Sequence, residues 1–429
     1  MGETCGMSQM DAKSRLMAEF SSQSSLGPEA RIVKQQDVDL WQVSEAYHEL
    51  IAYINTVSTT IQGLRLNDSY PVSPAITRLA GIFDQLEVMV HANPPLAVDK
   101  AASFVSSIEQ GNKAYRRWSR SMLRSIYPMV EKAVPASKCH YVNELGQYLS
   151  GSFGNATRID YGTGHELSFL FFQCSLFRAQ ILQEEDIAAS ALVIFARYLK
   201  FVRRLQVTYT MESAGNNGAY SLDTFQFVPF LWGVAQLSYA APFPPLQMLD
   251  ADVISRYKSD YLLIGCVSHV LDTKMGPFAM HSSQLWSLAA LSSWSKIHRG
   301  LLFMYLDEVL TQFEILQHIR FGKLMPFSEA KNGRQLEQAK LGVMSPLRRR
   351  QLELNLGEED QRQKAPDEHP HKKSAKSAQQ IGSPSLGSTE FKDSESILSV
   401  GTTNTSLTDA SVHLRAPSKD DVEAVDKPL

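Results

Sequence analysis

Residues 165–182, HELSFLFFQCSLFRAQIL, carry apolar side chains on nearly every face of any helix they form. Such a helix has no side to turn to water, so the rest of the chain must surround it. Its most apolar stretch, Leu167–Phe177, is too short to cross a bilayer and contains Gln173. The expectation is a soluble globule with this helix inside. The 429 residues are enough to build the enclosing layer.

The enclosing elements also read as helices. Leu40, Val43, Tyr47, Leu50, Ile54, Val57, Ile61 and Leu64 step by three or four residues from Val38 onward. Ser73 is a good N-cap and Pro74 a good first helical residue, and Leu79, Phe83, Leu86 and Val90 form one face of the helix they start. That helix ends at Pro94 and Pro95. A third helix is predicted from Lys100 to Val130, with Gly111 as its weak point. Residues 184–209 open with acids and close with basic residues, which matches a helix dipole. Later helices are predicted over Asp260–Thr273 and Lys296–Phe313. Nothing alternates like a strand, and no repeat of solenoid length is visible. The predicted fold is all-α: a single globular multi-helix domain over 37–329, after a flexible segment 1–36 and before a tail 330–429. The tail is rich in Ser, Thr and charge and is expected to be disordered.

Composition narrows the function classes. A net charge of -3 gives no reason to expect nucleic acid or an anionic membrane. Cys5, Cys139, Cys174 and Cys266 are far apart, without CxxC spacing, and read as reduced thiols of a cytoplasmic or nuclear protein. The first residues contain no apolar secretory stretch.

Four loops carry chemistry. In TRIDYGTGHE (157–166), Gly162 and Gly164 precede a helix whose first amides lack internal partners, a setting that attracts anions. Arg158 and Thr163 would add donors to it. The bland alternative is a glycine turn in which Arg158 pairs with Asp160 or Glu166. The segment is neither GxxxxGK[ST] nor GxGxxG, and no strand is predicted before it. His165-Glu166 fails as a zinc motif because Phe169 stands where a second His is required, so Glu166 reads as an acid on its own helix dipole. In 212–230, Asp223 and backbone carbonyls could hold a hard cation, or the stretch is an ordered surface loop. Pro277, Phe278 and Trp286 with His281 could line a groove for a proline-containing peptide, or pack at a turn. His318, Arg320 and Lys323 could bind phosphate, or satisfy the end of a helix that stops at Gly322.

Read together, NKAYRRW (112–118), GNATRIDYGTGHE (154–166), MESAGNNG with LDTFQFVPFLWG (211–233), GPFAMHSSQLW (276–286), SWSK (293–296) and QHIRFGKLMP (317–326) resemble the phosphotyrosyl phosphatase activator family. The resemblance runs in order over about 37–329. It implies an all-α fold with core, linker and lid parts around a cleft. It also implies binding to the catalytic subunit of protein phosphatase 2A, with the scaffold subunit as a further partner, ATP and Mg²⁺ shared at the interface, and peptidyl-prolyl cis-trans isomerase activity. By motif, Arg158, Thr163, Gly164, Ile315, Gln317 and His318 become nucleotide contacts. Gly218 and Asp223 become metal-linked, and Asp223, Gly276, Pro277, Phe278 and Trp286 become the peptide surface.

The chain departs from that pattern where Glu109 and Gln110 stand for an Arg-Phe pair, and at four further positions. Tyr220 and Ser221 stand for Trp and Gly, Thr224 stands for a metal-linked Asp, and Met280 stands for an acid at the functional surface. A hydroxyl is a poorer Mg²⁺ ligand than a carboxylate. The alternative function is therefore a paralogue that binds the phosphatase without activating it.

Overall fold

A computed structural model describes residues 27–95, 104–215, 222–331 and 338–344, with isolated positions up to Arg350. Those residues belong to one compact unit, and the second unit, Asp367–Leu429, lies outside them. Most of the predicted tail is therefore also outside the described residues.

The Thr163–Arg178 helix is the centre. Leu167, Phe169–Cys174 and Leu176 are all buried, as the apolar ring of its sequence requires. Phe169 stacks on Tyr198 with ring centroids 3.7 Å apart. Gln173, the polar residue of the run, is also buried. Its amide donates to Ser190 O at 2.7 Å, inside a π-helical stretch, Ser190–Phe195, that leads into the Ala196–Tyr209 helix. The amphipathic helix predicted over 184–209 is thus interrupted by a wider turn, and a buried amide reaches one of its carbonyls.

The Pro74–Ala92 helix starts as predicted: Ser73 Oγ accepts from Ile76 N at 3.3 Å. The long helix is observed over Phe104–Ala133. Its expected weak point is a contact instead, because a Cβ on Gly111 would stand 2.7 Å from Tyr209 O. The glycine's helix-propensity cost of about 1 kcal/mol is offset by close approach of two helices.

The first predicted helix is two. Asp37–Gln42 and Glu45–Thr60 are separated at Val43–Ser44, where Ser44 caps the second one and accepts from Tyr47 N at 3.2 Å. The end of the domain causes the break. Glu45 N donates to Ser328 O, Ala46 N to Pro326 O, and Ala330 N to Val43 O. Leu40 and Val43, assigned to the apolar face, are 56% and 47% exposed, and Val38 and Trp41 are buried in their place.

Two further boundaries differ from expectation. Glu29–Ala30 pairs antiparallel with Arg320–Phe321, and Ile32 is buried, so residues 27–36 are part of the body. Residues 338–342 are hydrogen-bonded to the Glu45–Thr60 helix and to Gln62 beyond it. The predicted later helices appear as Leu262–Thr273 and Trp294–Glu308. Val228–Gln236 packs on both of them and on the Glu45–Thr60 helix, and its residues are all buried. Every strand among the described residues is two residues long. No helix among the described residues is long and apolar enough to cross a membrane.

Candidate functional site: an anion-binding cleft at the central helix

The N-terminus of the central helix is held in place by the chain on both sides. Asn155 Oδ1 accepts from Thr157 N at 2.8 Å and Arg158 N at 3.0 Å, a tight turn that sets Arg158 at the rim. The next residue, Ile159, has φ +58, which is costly for a β-branched side chain. Its buried side chain anchors the turn from below. Asp160–Tyr161 then pairs parallel with Glu212–Ser213. A short strand does precede the helix, contrary to expectation. Two residues of pairing leave no alternation for a sequence to display.

Gly162 is the N-cap and offers no side chain to the helix. A Cβ there would stand 2.9 Å from Ala214 O, so the chain from the second strand pair packs directly on the cap. The Thr163 and Gly164 amides, first in the helix, have no partner within it. Both residues line a cleft of about 770 Å³, together with Arg158, Ile315, Gln317 and His318. The six residues assigned to nucleotide contact come from segments about 150 positions apart in sequence, and they share one cavity. Gly164 lies against Ile315, whose Cγ2 would be 3.4 Å from an added Cβ.

The cleft is rich in basic groups. Arg158 Nε donates to Asp160 Oδ2 at 2.6 Å, so the bland reading of Arg158 is realised as well. The Arg158 side chain remains 45% exposed and free to reach into the cavity. His165 Nδ1 lies 2.9 Å from Gly151 O, and its Nε2 is 3.9 Å from Asp160 Oδ1, beyond hydrogen-bond range. Burial works to raise the Asp160 pKa, but His165 and Arg158 outweigh it and hold the group below the usual carboxylate range. Burial lowers His318, and the charges of Arg158 and His165 push the same way. The charged form of His318 is therefore disfavoured in the cleft. Arg320 lines the cavity too. Gly322 is not a helix stop: the helix here is only Phe313–Leu316, and Gly322 abuts the Glu144 carboxylate.

Glu166 does not serve its own helix. It is fully buried, and Oε2 accepts from Phe227 N at 2.9 Å and Val228 N at 3.1 Å, capping the Val228–Gln236 helix instead. Burial pushes its pKa up to about 8, against those two amides, which lower it.

The other candidates are elsewhere. Asp223, Gly276, Pro277, Phe278 and Trp286 do not line the cleft. Asp223 Oδ2 accepts from Gln226 N at 3.3 Å and so is turned back on its own loop. Thr224 is half-buried beside it, and Gly218, Tyr220 and Ser221 lie outside the described residues. Among the described residues no cluster of three His, Cys, Asp or Glu side chains is placed to hold a metal ion. Gly276 turns the chain with φ +98 and opens a short apolar stretch. There Phe278 is half-buried at 5.4 Å from the His281 ring, and Trp286, Met275 and Met280 are exposed. Sequence reasoning missed Tyr127 and Gln147, which line the cleft from neighbouring helices, and Ser168, which lines it from the central helix. They belong to no motif, and only the packing of their helices brings them in.

Residues 28–327 match the family described as phosphotyrosyl phosphate activator (PTPA) protein. A serine/threonine-protein phosphatase 2A activator of Drosophila melanogaster is 48% identical over 310 residues, 72% of this chain and 76% of its own length. A probable serine/threonine-protein phosphatase 2A activator 1 of Dictyostelium discoideum is 34% identical over 69% of this chain and 89% of its own. The crystal structure of the PP2A phosphatase activator Ypa1 superposes with a TM-score of 0.63 at 28% identity, covering 71% of this chain and 96% of that one. With the family match spanning most of the chain and the helical body superposing on a solved member, this protein belongs to the PTPA family.

Proposed function

We propose that this chain is an activator of protein phosphatase 2A that binds the catalytic subunit, alone or with the scaffold subunit, and holds ATP in the cleft of the central helix. The convergence of Arg158, Thr163, Gly164, Ile315, Gln317 and His318 on one cavity carries this reading. The residues suit a polyphosphate. Two free amides at a helix N-terminus meet its charge, Arg158 and Arg320 stand at the rim, and a cleft of about 770 Å³ is large enough for a nucleotide. When bound, ATP–Mg²⁺ supplies phosphate charge and a divalent cation at the boundary with the phosphatase. The chain's own part is to orient the phosphates through the Thr163 and Gly164 amides. Arg158 stands beside them, paired through Nε with Asp160. The Mg²⁺ would ride on the nucleotide, and Asp223, the carboxylate that the family resemblance links to metal, does not line the cleft. A cytoplasmic and nuclear location belongs to the same proposal.

Peptidyl-prolyl isomerase activity is the enzymatic part of the proposal. A prolyl bond bound in a twisted form at Gly276, Pro277, Phe278 and Trp286, near Asp223 in role, needs no covalent step. The exposed apolar side chains of Met275, Met280 and Trp286 support a surface that takes peptide or protein.

One observation favours a second reading, a partner that grips the phosphatase without activating it: Met280, 75% exposed, presents a thioether where the family presents an acid. The test is stimulation of purified inactive catalytic subunit with and without ATP–Mg²⁺. ATP-dependent stimulation by the wild type supports activation. Co-precipitation without stimulation, restored by Thr224→Asp with Met280→Glu, supports the second reading. Neither stimulation nor association in any of these proteins refutes both.

A further inference from the structure

The strap formed by residues 338–342 lies beyond the family match, which ends at 327, yet it is seated in a built site on the body. Gln62, just past the Glu45–Thr60 helix, reads its backbone with both ends of one amide. Nε2 donates to Lys340 O at 2.8 Å, and Oε1 accepts from Gly342 N at 2.8 Å. The second Nε2 hydrogen goes to Thr59 O at 3.1 Å. The Thr59 hydroxyl accepts from Lys340 N at 3.3 Å. Gln62 is 1% exposed, and both amide donors and the carbonyl are used.

Strap side chains contribute less. Lys340 and Gly342 are exposed, and Ala339 and Leu341 are half-buried. Ala339 and Leu341 roof a cavity of about 210 Å³ whose floor includes Ile51, His298, Leu302 and Leu306. Gly342 turns away at φ +77, and a Cβ there would stand 3.1 Å from Ser295 Oγ. The contacts therefore fall on the N–H and C=O of one residue and the N–H of the residue two further on, with a recess beneath the residue between. This is how a groove holds an extended peptide: main-chain bonds supply the grip and a pocket supplies the preference.

We infer that the groove between the Glu45–Thr60 and Trp294–Glu308 helices is a docking site for one occupant, this chain's own residues 338–342, held reversibly so that the segment can leave the groove and rebind. The occupant is tethered through Lys331 and so acts at high effective concentration, which lets a shallow contact persist and still be exchangeable. The inference is independent of the nucleotide reading.

The probe is a labelled peptide of sequence QAKLGVM, residues 338–344, titrated against the full-length protein. A strap-broken variant, Leu341→Asp with Gly342→Val, is expected to bind it, and the wild type is expected to bind at least about tenfold more weakly because its groove is filled. Adding Gln62→Ala to the strap-broken protein is expected to weaken the peptide about thirtyfold, the loss of two hydrogen bonds. Thermal melts of each variant separate lost binding from lost folding. Failure of the folded strap-broken protein to bind, equal binding by the wild type, or indifference to Gln62→Ala would each overturn the inference.

Discussion

At the start of the central helix the groups offered to the proposed ligand are backbone amides, fixed by what packs behind them. Across Gly276–Trp286 the proposed surface is made of side chains, with Met280 and Trp286 exposed to water. The first region tolerates little change behind the cap, since Ala214 O leaves no room for a Cβ on Gly162. The second has nothing within 4 Å of where a Cβ on Gly276 would sit. A site made of backbone is conserved in shape by its core, whereas a site made of exposed side chains can change chemistry without touching the fold. On that ground a change at exposed Met280 leaves the fold untouched, whereas a side chain added at Gly162 does not.

The sharpest break of the comparison is Gly162→Val. The displaced cap is expected to abolish ATP binding by calorimetry and lower stability by about 2–3 kcal/mol in urea unfolding. Unchanged ATP affinity would separate the nucleotide from these amides. Next is Glu166→Gln, which probes the layer behind the cap. The folded pKa of about 8 lies above the ordinary 4.5, so the wild type keeps its full stability below about pH 4.5 and loses it as pH rises through 8. The Gln variant is expected to remove that slope, with a difference on the order of a few kcal/mol between pH 5 and pH 8.5. Parallel pH–stability curves would place the carboxyl outside this account. Smaller effects follow from a matched pair. Arg158→Ala is expected to weaken ATP about tenfold to a hundredfold. Its folding stability should move by under about 1 kcal/mol, because the Asp160 pair is half in solvent. Trp286→Ala is expected to leave ATP affinity unchanged and weaken association with the phosphatase catalytic subunit about tenfold. If either variant shows the other's phenotype, the two regions do not act separately.

The helix-start half of the cleft was legible because its parts are short-range, whereas Ile315, Gln317 and His318 were tied to it only through the family resemblance. Gly162 and Gly164 before an apolar helix, with Arg158 a few residues back, announce a helix start with free amides from sequence alone. The same reading misassigned Glu166, because an acid in the first turn usually serves its own dipole. Nothing local says that the Val228–Gln236 helix will present its N-terminus to that carboxylate. The split at Ser44 was hidden for a similar reason: the apolar period runs through it, and the interrupting partner is Ser328, nearly 300 residues away.

The sequence by itself determined the helical class and the buried central helix, because a run apolar on every face admits no other placement. It also determined the cap at Ser73, since capping is decided within a few residues. Tertiary structure decided what lies opposite each of those local features. It set Ile315 against Gly164, Tyr209 against Gly111, and the residue 338–342 strap against Gln62. Contacts between distant segments depend on how whole helices pack, and packing is a property of the assembled body that no window of sequence contains.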